Sequence, residues 1–303
     1  TTNNTAIKED KIMPLTINTN SAAASANYHL SRNQSALQKS LTRLSSGSRI
    51  VQPIDDAGGL AVSMKLESAI VRLSGAQKNV QNATSFLEVQ DGIMSSAGKI
   101  LNRMIELKGL SDDVMKNASD TENYNREFKD LQQQIYDMAA LKFNGVSMFA
   151  QFSSEAGGAQ GVFNDTALDN TVSVYVSADG STGPTVSVNK ALLLSALTFN
   201  ASTLAAAKFS DGATAGNNIN SFAAANSGTT INLSDISVGV FTQAIQNIAT
   251  LRADNGASMS RLRFAGDEMG MQETNLIAAN GRITDVDIAA ESTRLAKYNV
   301  LVQ

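Results

Sequence analysis

The stretch LAVSMKLESAIVRLSGAQKNVQNATSFLEVQDGIMSSAGKILNRMIEL, residues 60–107, decides how this chain folds. Leu66, Leu73, Val80, Leu87, Met94 and Leu101 recur at strict seven-residue intervals, and Ala69, Ala76, Ala83, Gln90, Ala97 and Met104 follow each of them by three. Such a double repeat is the seam of a helix that packs lengthwise against another at a shallow angle. Alanine fills most of the second set, so the neighbouring helix can approach closely. The spacing predicts a long rod-forming helix.

A second frame of the same period runs through Phe241, Ile248, Leu262, Met269, Leu276 and Ile283, interrupted only by Asn255. Neither stripe can be buried by its own helix. The two are therefore expected to pair, which brings the chain ends together and pushes the middle outward. A shorter amphipathic helix is expected upstream from Ser21 to Leu44, where Leu30, Leu37 and Leu44 stand seven apart with Leu41 alongside. The breakers Ser45-Ser46-Gly47-Ser48 and Pro53 then precede Asp55-Asp56, a helix-start signature.

Downstream of the long helix, Asp112 to Asn123 reads as polar and turn-like. Phe128, Leu131, Ile135 and Met138 resume the three-four spacing in a helix folding back on the first. Lys142-Phe143-Asn144-Gly145 ends it, with Gly145 as a helix C-terminal residue or turn. From Ala150 to Ser234 the composition shifts to Gly, Ser, Thr, Asn and Ala. Period-two alternation there predicts strands at Thr171–Ser177 and Thr185–Asn189, and Ala191 to Ala207 is compatible with a helix.

The expected fold is mainly α with an α+β insertion: a long antiparallel, coiled-coil-like helical rod built from both chain ends, plus a small variable domain containing β-strands. The expected divisions are an extension or tag remnant (1–14), an N-terminal core helix (15–46), and a connector with the first rod arm (47–149). A variable domain (150–234), the second rod arm (235–288) and the start of a further core helix (289–303) follow. Met13-Pro14 reads as a native start behind the extra residues.

Composition removes most chemistry. There is no Cys and a single His, His29, so thiol catalysis, disulfides, Cys-based zinc sites and two-histidine metal motifs are excluded. A Ser-His-Asp set would have to use His29, which lies in an Ala/Ser/Asn-rich helix start. No cofactor is expected. A net charge of −4 provides no basic face for nucleic acid. No apolar run is long enough to span a membrane, and the polar N-terminal segment is not a Sec-type signal peptide. In the insertion, Glu155, Asp165, Asp169, Asp179 and Asp211 lack the aromatic surroundings of sugar subsites and read as surface or turn-capping acids.

Leu41-Thr-Arg-Leu-Ser-Ser-Gly-Ser-Arg-Ile50 followed by Asp55-Asp-Ala-Gly-Gly-Leu-Ala61 closely resembles the N-terminal signature of bacterial flagellins, and Ile17-Asn18-Thr19-Asn20 and Phe143-Asn144-Gly145-Val146 match the ends of that arm. Asn275-Leu276, Ala278-Ala279, Arg282-Ile283, Asp285, Asp287, Ala289 and Glu291 match the C-terminal signature in order. Gly58 stands where flagellins usually have Ala and Gly281 where they usually have Ser. The helical arm stops at Gln303, where flagellins usually continue.

The resemblance implies a subunit that assembles with itself into the flagellar filament for motility, outside the cell. Export would run through the flagellar type III apparatus, with an export chaperone and the filament cap and hook-junction proteins as partners. Leu30, Leu37, Leu41 and Leu44 would supply axial self-assembly contacts, and the two heptad sets the intrasubunit seam. By the same resemblance, a Toll-like receptor contact of some flagellins maps to Arg103, Glu106, Leu107 and Gln134, where Gln134 replaces an acidic residue. The bland reading of Arg103 and Glu106 is an exposed ion pair three residues apart. Two other functions remain open: a hook-filament junction protein, and a flagellin homologue binding surface polysaccharide through its variable domain.

Overall fold

The computed structural model describes residues 20–150, 171–200, 205–206 and 219–303. It divides into two compact units, one formed by the chain up to Ser68 together with Asn275–Gln303, the other by Ala69–Thr274.

In the first unit, helix α1 (Ser21–Ser46) starts at Asn20, whose side chain accepts from the Ala22 and Ala23 N–H groups. It stops at Gly47, whose φ of 72° is the left-handed conformation that glycine adopts freely at a helix end. Helix α6 (Ile288–Val302) is capped by Asp287, which accepts from the Ala290 N–H, and packs along α1. The linkers between helices pair with each other: Val286 N–H donates to the Gly47 carbonyl at 3.0 Å, and Arg49 N–H to the Thr284 carbonyl at 2.6 Å. That short ladder starts α6 beside the end of α1, so the two helices run antiparallel.

Helix α2 (Ala57–Ser111) carries the first heptad stripe, and α5 (Val238–Thr284), introduced here ahead of the shorter elements, carries the second. In the second unit these two are antiparallel. Asn255 reaches the Leu87 carbonyl, Arg252 pairs with Asp91, and Gly266 lies against Val80. Leu73, Val80, Leu87, Met94, Leu101, Phe241, Ile248, Leu262 and Met269 are buried along the seam. Leu66 and Leu276, which belong to the first unit, are half-buried. Gly266 facing Val80 and Ala at positions 76 and 97 let the helices close on one another, as the small residues in the repeat require.

Helix α3 (Ala118–Ala139) folds back on α2 and buries Phe128, Ile135 and Met138. It begins five residues before Asn123, inside the segment expected to be turn-like. The cause is a capping box in which Asn117 accepts from the Asp120 N–H and Asp120 accepts from the Asn117 N–H. Two N-terminal donors are satisfied reciprocally, so a polar sequence starts a helix.

Residues 142–147 do more than end that helix. They form an antiparallel hairpin of β1 (Lys142–Phe143) and β2 (Val146–Ser147), with Asn144 (φ 48°) and Gly145 (φ 81°) at its two-residue turn. Two successive left-handed residues match the twist of paired strands, for which Asn-Gly is the favoured pair. Strands β3 (Thr171–Tyr175) and β4 (Thr185–Asn189) pair with Val174 opposite Val186, both buried. The described part of the 191–207 run is not one continuous helix. It holds one helical turn, α4 (Leu193–Ala196), then β5 (Thr198–Asn200) and β6 (Ala205–Ala206), with β7 (Ile219–Ser221) on the other side of β5. Leu193, Ala196, Leu197 and Phe199 are all buried. A segment covered on every side has no polar face with which to lie as a surface helix. Phe222, just after β7, meets Phe241 edge-on at 5.7 Å, and Phe128 meets the same ring at 5.8 Å. These rings lock the insertion onto the helices.

Candidate interaction surfaces

In the first unit the linker between α1 and α2 is organised around Asp55. Its carboxylate pairs with Lys39 and lies 3.7 Å from the Arg43 guanidinium, both on α1. It also accepts from the Val51 and Gln52 N–H groups at 3.2 and 3.4 Å. The Lys39 hydrogen bond, aided by those N–H groups, holds the carboxyl below its ordinary pKa against the opposing effect of burial. Asp56, next in sequence, accepts from the Gly59 N–H at 2.8 Å and opens α2. The linker is thus strapped to the helix before it. A Cβ at Gly58 would meet nothing nearer than 3.6 Å, so the alanine usual at this place in flagellins would fit.

The leucine stripe of α1 is not the stripe that α6 covers. The sheltered positions are Asn33, Ala36, Leu37, Ser40, Arg43 and Leu44, with Ser40 the most buried at 3% exposure. Leu37 and Leu44 sit at the edge of this band. Leu30 and Leu41 lie outside it, 40% and 51% exposed. Small side chains at Ala36 and Ser40 allow close approach, which rotates the contact away from the bulky leucines. Residues 21–30 are exposed throughout, including His29, whose ring stands edge-on to Tyr28.

In the second unit, four buried carboxamides do the polar work. Gln90 donates to the Met148 carbonyl at 2.5 Å, and Asn255 to the Leu87 carbonyl at 2.9 Å. Asn247 donates to the Ala196 carbonyl at 3.2 Å. Gln132 uses both ends of its amide, donating to the Ile231 carbonyl at 2.8 Å and accepting from the Ile231 N–H at 3.0 Å, as a β-strand neighbour would. Three of the four tie connecting segments to the helices, satisfying main-chain groups that would otherwise be buried unpaired. The break in the second heptad frame at Asn255 and the Gln at position 90 of the first were visible signals. Gln132 and Asn247 had none.

Arg103 is clamped by two acids. It holds Glu127 of α3 in a fork, at 2.7 and 3.1 Å, and Glu106 at 2.8 Å. The hydrogen bonds to Glu127 first, and to Glu106 second, raise its pKa further above an already high value. Leu107 is fully buried and offers no surface to a receptor, which corrects its assignment as a contact residue. Gln134 is exposed on α3 and takes no part in the clamp. The structure therefore joins Arg103 and Glu106, adds Glu127, and separates off the other two.

Along the lower part of the seam, α2 and α5 border an open groove of about 730 Å³. Val80, Met259 and Leu262 form its floor, and Gly256 and Gly266 deepen its α5 wall. A second, smaller cleft lies between α2 and the strands, lined by Phe86, Phe143 and Tyr175. Among the described residues no group of three or more His, Cys, Asp or Glu side chains is placed to hold a metal, and no helix is long and apolar enough to cross a membrane. Of the acids considered for sugar chemistry, Asp179 is exposed beside a tight turn; Glu155, Asp165, Asp169 and Asp211 lie outside the described residues.

Comparison with known proteins bears on these surfaces. The family model of the bacterial flagellin N-terminal helical region matches residues 17–154, and that of the C-terminal helical region matches residues 238–303. The flagellar filament 33 kDa core protein of Treponema phagedenis is 31% identical over 293 residues, covering 95% of this chain and 92% of that protein. The flagellin of Bacillus subtilis (strain 168) is 29% identical over 295 residues, with the same coverage of 95% and 92%. A crystal structure of Bacillus cereus flagellin, 23% identical, aligns with 67% of this chain and 94% of that one at a TM-score of 0.41.

Proposed function

This chain belongs to the bacterial flagellin family, and from that premise we propose that it is the structural subunit of a flagellar filament, an extracellular polymer serving motility. The observation that supports this most directly is the apolar surface its helices leave uncovered. In the first unit Tyr28, Leu30 and Leu41 on α1 and Val300 and Leu301 on α6 are between 40% and 73% exposed. Burying such surface stabilises by roughly 25 cal/mol per Å². Identical subunits added head to tail in a contact that does not close repeat that gain along a filament.

In this reading residues 15–46 and 289–303 form the inner domain, the arms 47–149 and 235–288 form the rod, and 150–234 form the variable outer domain. Export through the flagellar type III apparatus, an export chaperone, and the cap and hook-junction proteins follow from the family resemblance. Any Toll-like receptor contact would use Arg103, Glu106 and Gln134 without Leu107. The role is mechanical, with no catalytic step and no cofactor.

Seeded growth tests the proposal. The chain, and a version continued by the C-terminal helix of a relative, are added to filament fragments and followed by negative-stain microscopy. Filaments lengthening from the seeds are expected. A monodisperse monomer from both proteins at every concentration would overturn the reading.

A further inference from the structure

We propose that the open groove between α2 and α5 is an intersubunit socket, and that its occupant is the outer face of α5 of a second copy, anchored by Phe264 and Met271. This rests on the filament reading and names one of its interfaces.

The groove exists because the bundle loses a helix. α3 faces α2 where Glu127 meets Arg103 and runs antiparallel to it, so its end at Ala139 falls near the level of Asp91. Below that level, from Glu88 to Gln77, α2 and α5 alone line the groove, with no third helix beside it among the described residues. The floor is apolar (Val80, Met259, Leu262), and the walls set the short Thr84, Ser85 and Ser260 beside the charged Glu88, Arg263 and Asp267. A Cβ built on Gly256 would meet nothing within 4 Å, so the space is open down to the backbone.

The proposed plug lies on the same helix, half a turn from its own seam. Phe264 and Met271 are 71% and 64% exposed. They stand seven residues apart, which is about 10 Å along a helix, while the groove from Gln77 to Glu88 runs about 16 Å. A socket and a plug on different faces of one rod make a heterologous contact, the kind that propagates without closing.

Charge selects the register. In parallel copies, the incoming α5 lies antiparallel to α2. Setting the second copy's Arg261 against Glu88 brings its Phe264 to the level of Ser85 and its Met271 to the level of Lys78, whose alkyl stem it meets. Its Glu268 then falls beside Gln81, one turn from Lys78. Arg261, Glu88 and Lys78 are all exposed and form no ion pair among the described residues. Opposite charges therefore face each other at Arg261 and Glu88, at one end of the socket, Phe264 lies between that pair and Glu268, and Met271 sits about one turn further along.

The chain contains no cysteine, so crosslinking has a clean background. Q81C, on the groove wall, and Q272C, on the plug face, about one turn apart in this register, are combined in one chain, assembled on seeds and treated with a short bismaleimide. Both positions are exposed and neither is an anchor, so folding and docking are not at risk, and circular dichroism of the monomer checks the fold. A ladder of covalent multimers is expected from assembled protein, dimers from a mixture of the two single variants, and neither from monomer. Glu88→Arg and Arg261→Glu should each slow seeded growth at least about tenfold, and the double variant should recover it, because the two charges meet between copies. Filaments growing at the unmodified rate in F264S/M271S, with no ladder in the cysteine pair, would overturn the socket and leave the filament reading intact. No filaments from either the chain or its extended version would overturn both.

Discussion

Asn255 of α5 donates its side-chain N–H to the main-chain carbonyl of Leu87 on α2 at 2.9 Å, and its own amide oxygen, buried, has no partner among the described residues. One residue thus both joins the two long helices and carries an unmet acceptor. In a heptad seam a lone polar residue fixes register at a cost in stability. Asn255→Leu is expected to leave stability unchanged or raised by about 1 kcal/mol, because the Leu87 carbonyl keeps its helical partner. Leu87→Ala, which empties a fully buried site, is expected to cost about 2–5 kcal/mol. Urea midpoints of the two variants distinguish them, and a large loss in Asn255→Leu would show that the amide is a net stabiliser.

Gln132 is the reverse case. Its amide meets both main-chain groups of Ile231 and is itself buried. Gln132→Leu keeps the bulk and strands an N–H and a carbonyl, which at about 1–3 kcal/mol each should lower stability by roughly 2–6 kcal/mol. Amide exchange near Ile231 should accelerate with it. Unchanged protection of that N–H would mean that water replaces the side chain at no cost.

The Asn144-Gly145 turn makes a conformational prediction. Gly145 has φ 81° and nothing within 4 Å of a built Cβ, so Gly145→Ala meets backbone strain without a steric clash. A loss of about 1 kcal/mol is expected, the ordinary penalty of a left-handed non-glycine residue. Asn144→Gly should cost less. A thermal melt of the two variants gives the order, and equal midpoints would show that the hairpin opens before the unfolding that is measured.

Asp55 makes the unit it belongs to acid-sensitive. Its carboxyl lies below the ordinary value of 3.8 chiefly through the Lys39 hydrogen bond. A lowered folded-state pKa contributes stability that is present above the unfolded value and lost as pH falls through the folded one. The linker contacts to α1 are therefore expected to weaken below pH 3.8 and to be complete at neutral pH. Asp55→Asn should melt lower than the unsubstituted protein at pH 7 and lose less on acidification. Parallel melting curves across that window would remove Asp55 as the cause.

The helical arms were legible because periodicity is a one-dimensional record of burial. Leu73, Leu87, Leu101, Phe241 and Leu262 were placed inward by spacing alone and are buried. Family motifs around Leu41–Ile50 and Asp55–Ala61 are equally local in sequence, so the family could be read from them. What escaped was whatever depends on a partner distant along the chain. The 191–207 run is open to a helical reading because alanine favours helices, whereas burial of Leu193, Ala196, Leu197 and Phe199 leaves a single helical turn followed by strand β5. At 142–147 the sequence shows the turn at Gly145 but not the strands beside it, because each is only two residues long.

The amino-acid order alone settled the paired stripes of α2 and α5, the strand-containing insertion between them, the exclusion of thiol and two-histidine chemistry, and the flagellin kinship. Each is carried by residue type and short-range spacing. The face of α1 that α6 covers, the burial of Leu107 beside an exposed Arg103, and the end of α3 that leaves the groove open were settled only by packing. A periodic pattern says that a stripe will be covered, but the rotation and reach of the covering helix depend on side chains on two elements at once. On α1 that rotation places Ser40 at the centre of the contact and leaves Leu30 and Leu41 in solvent.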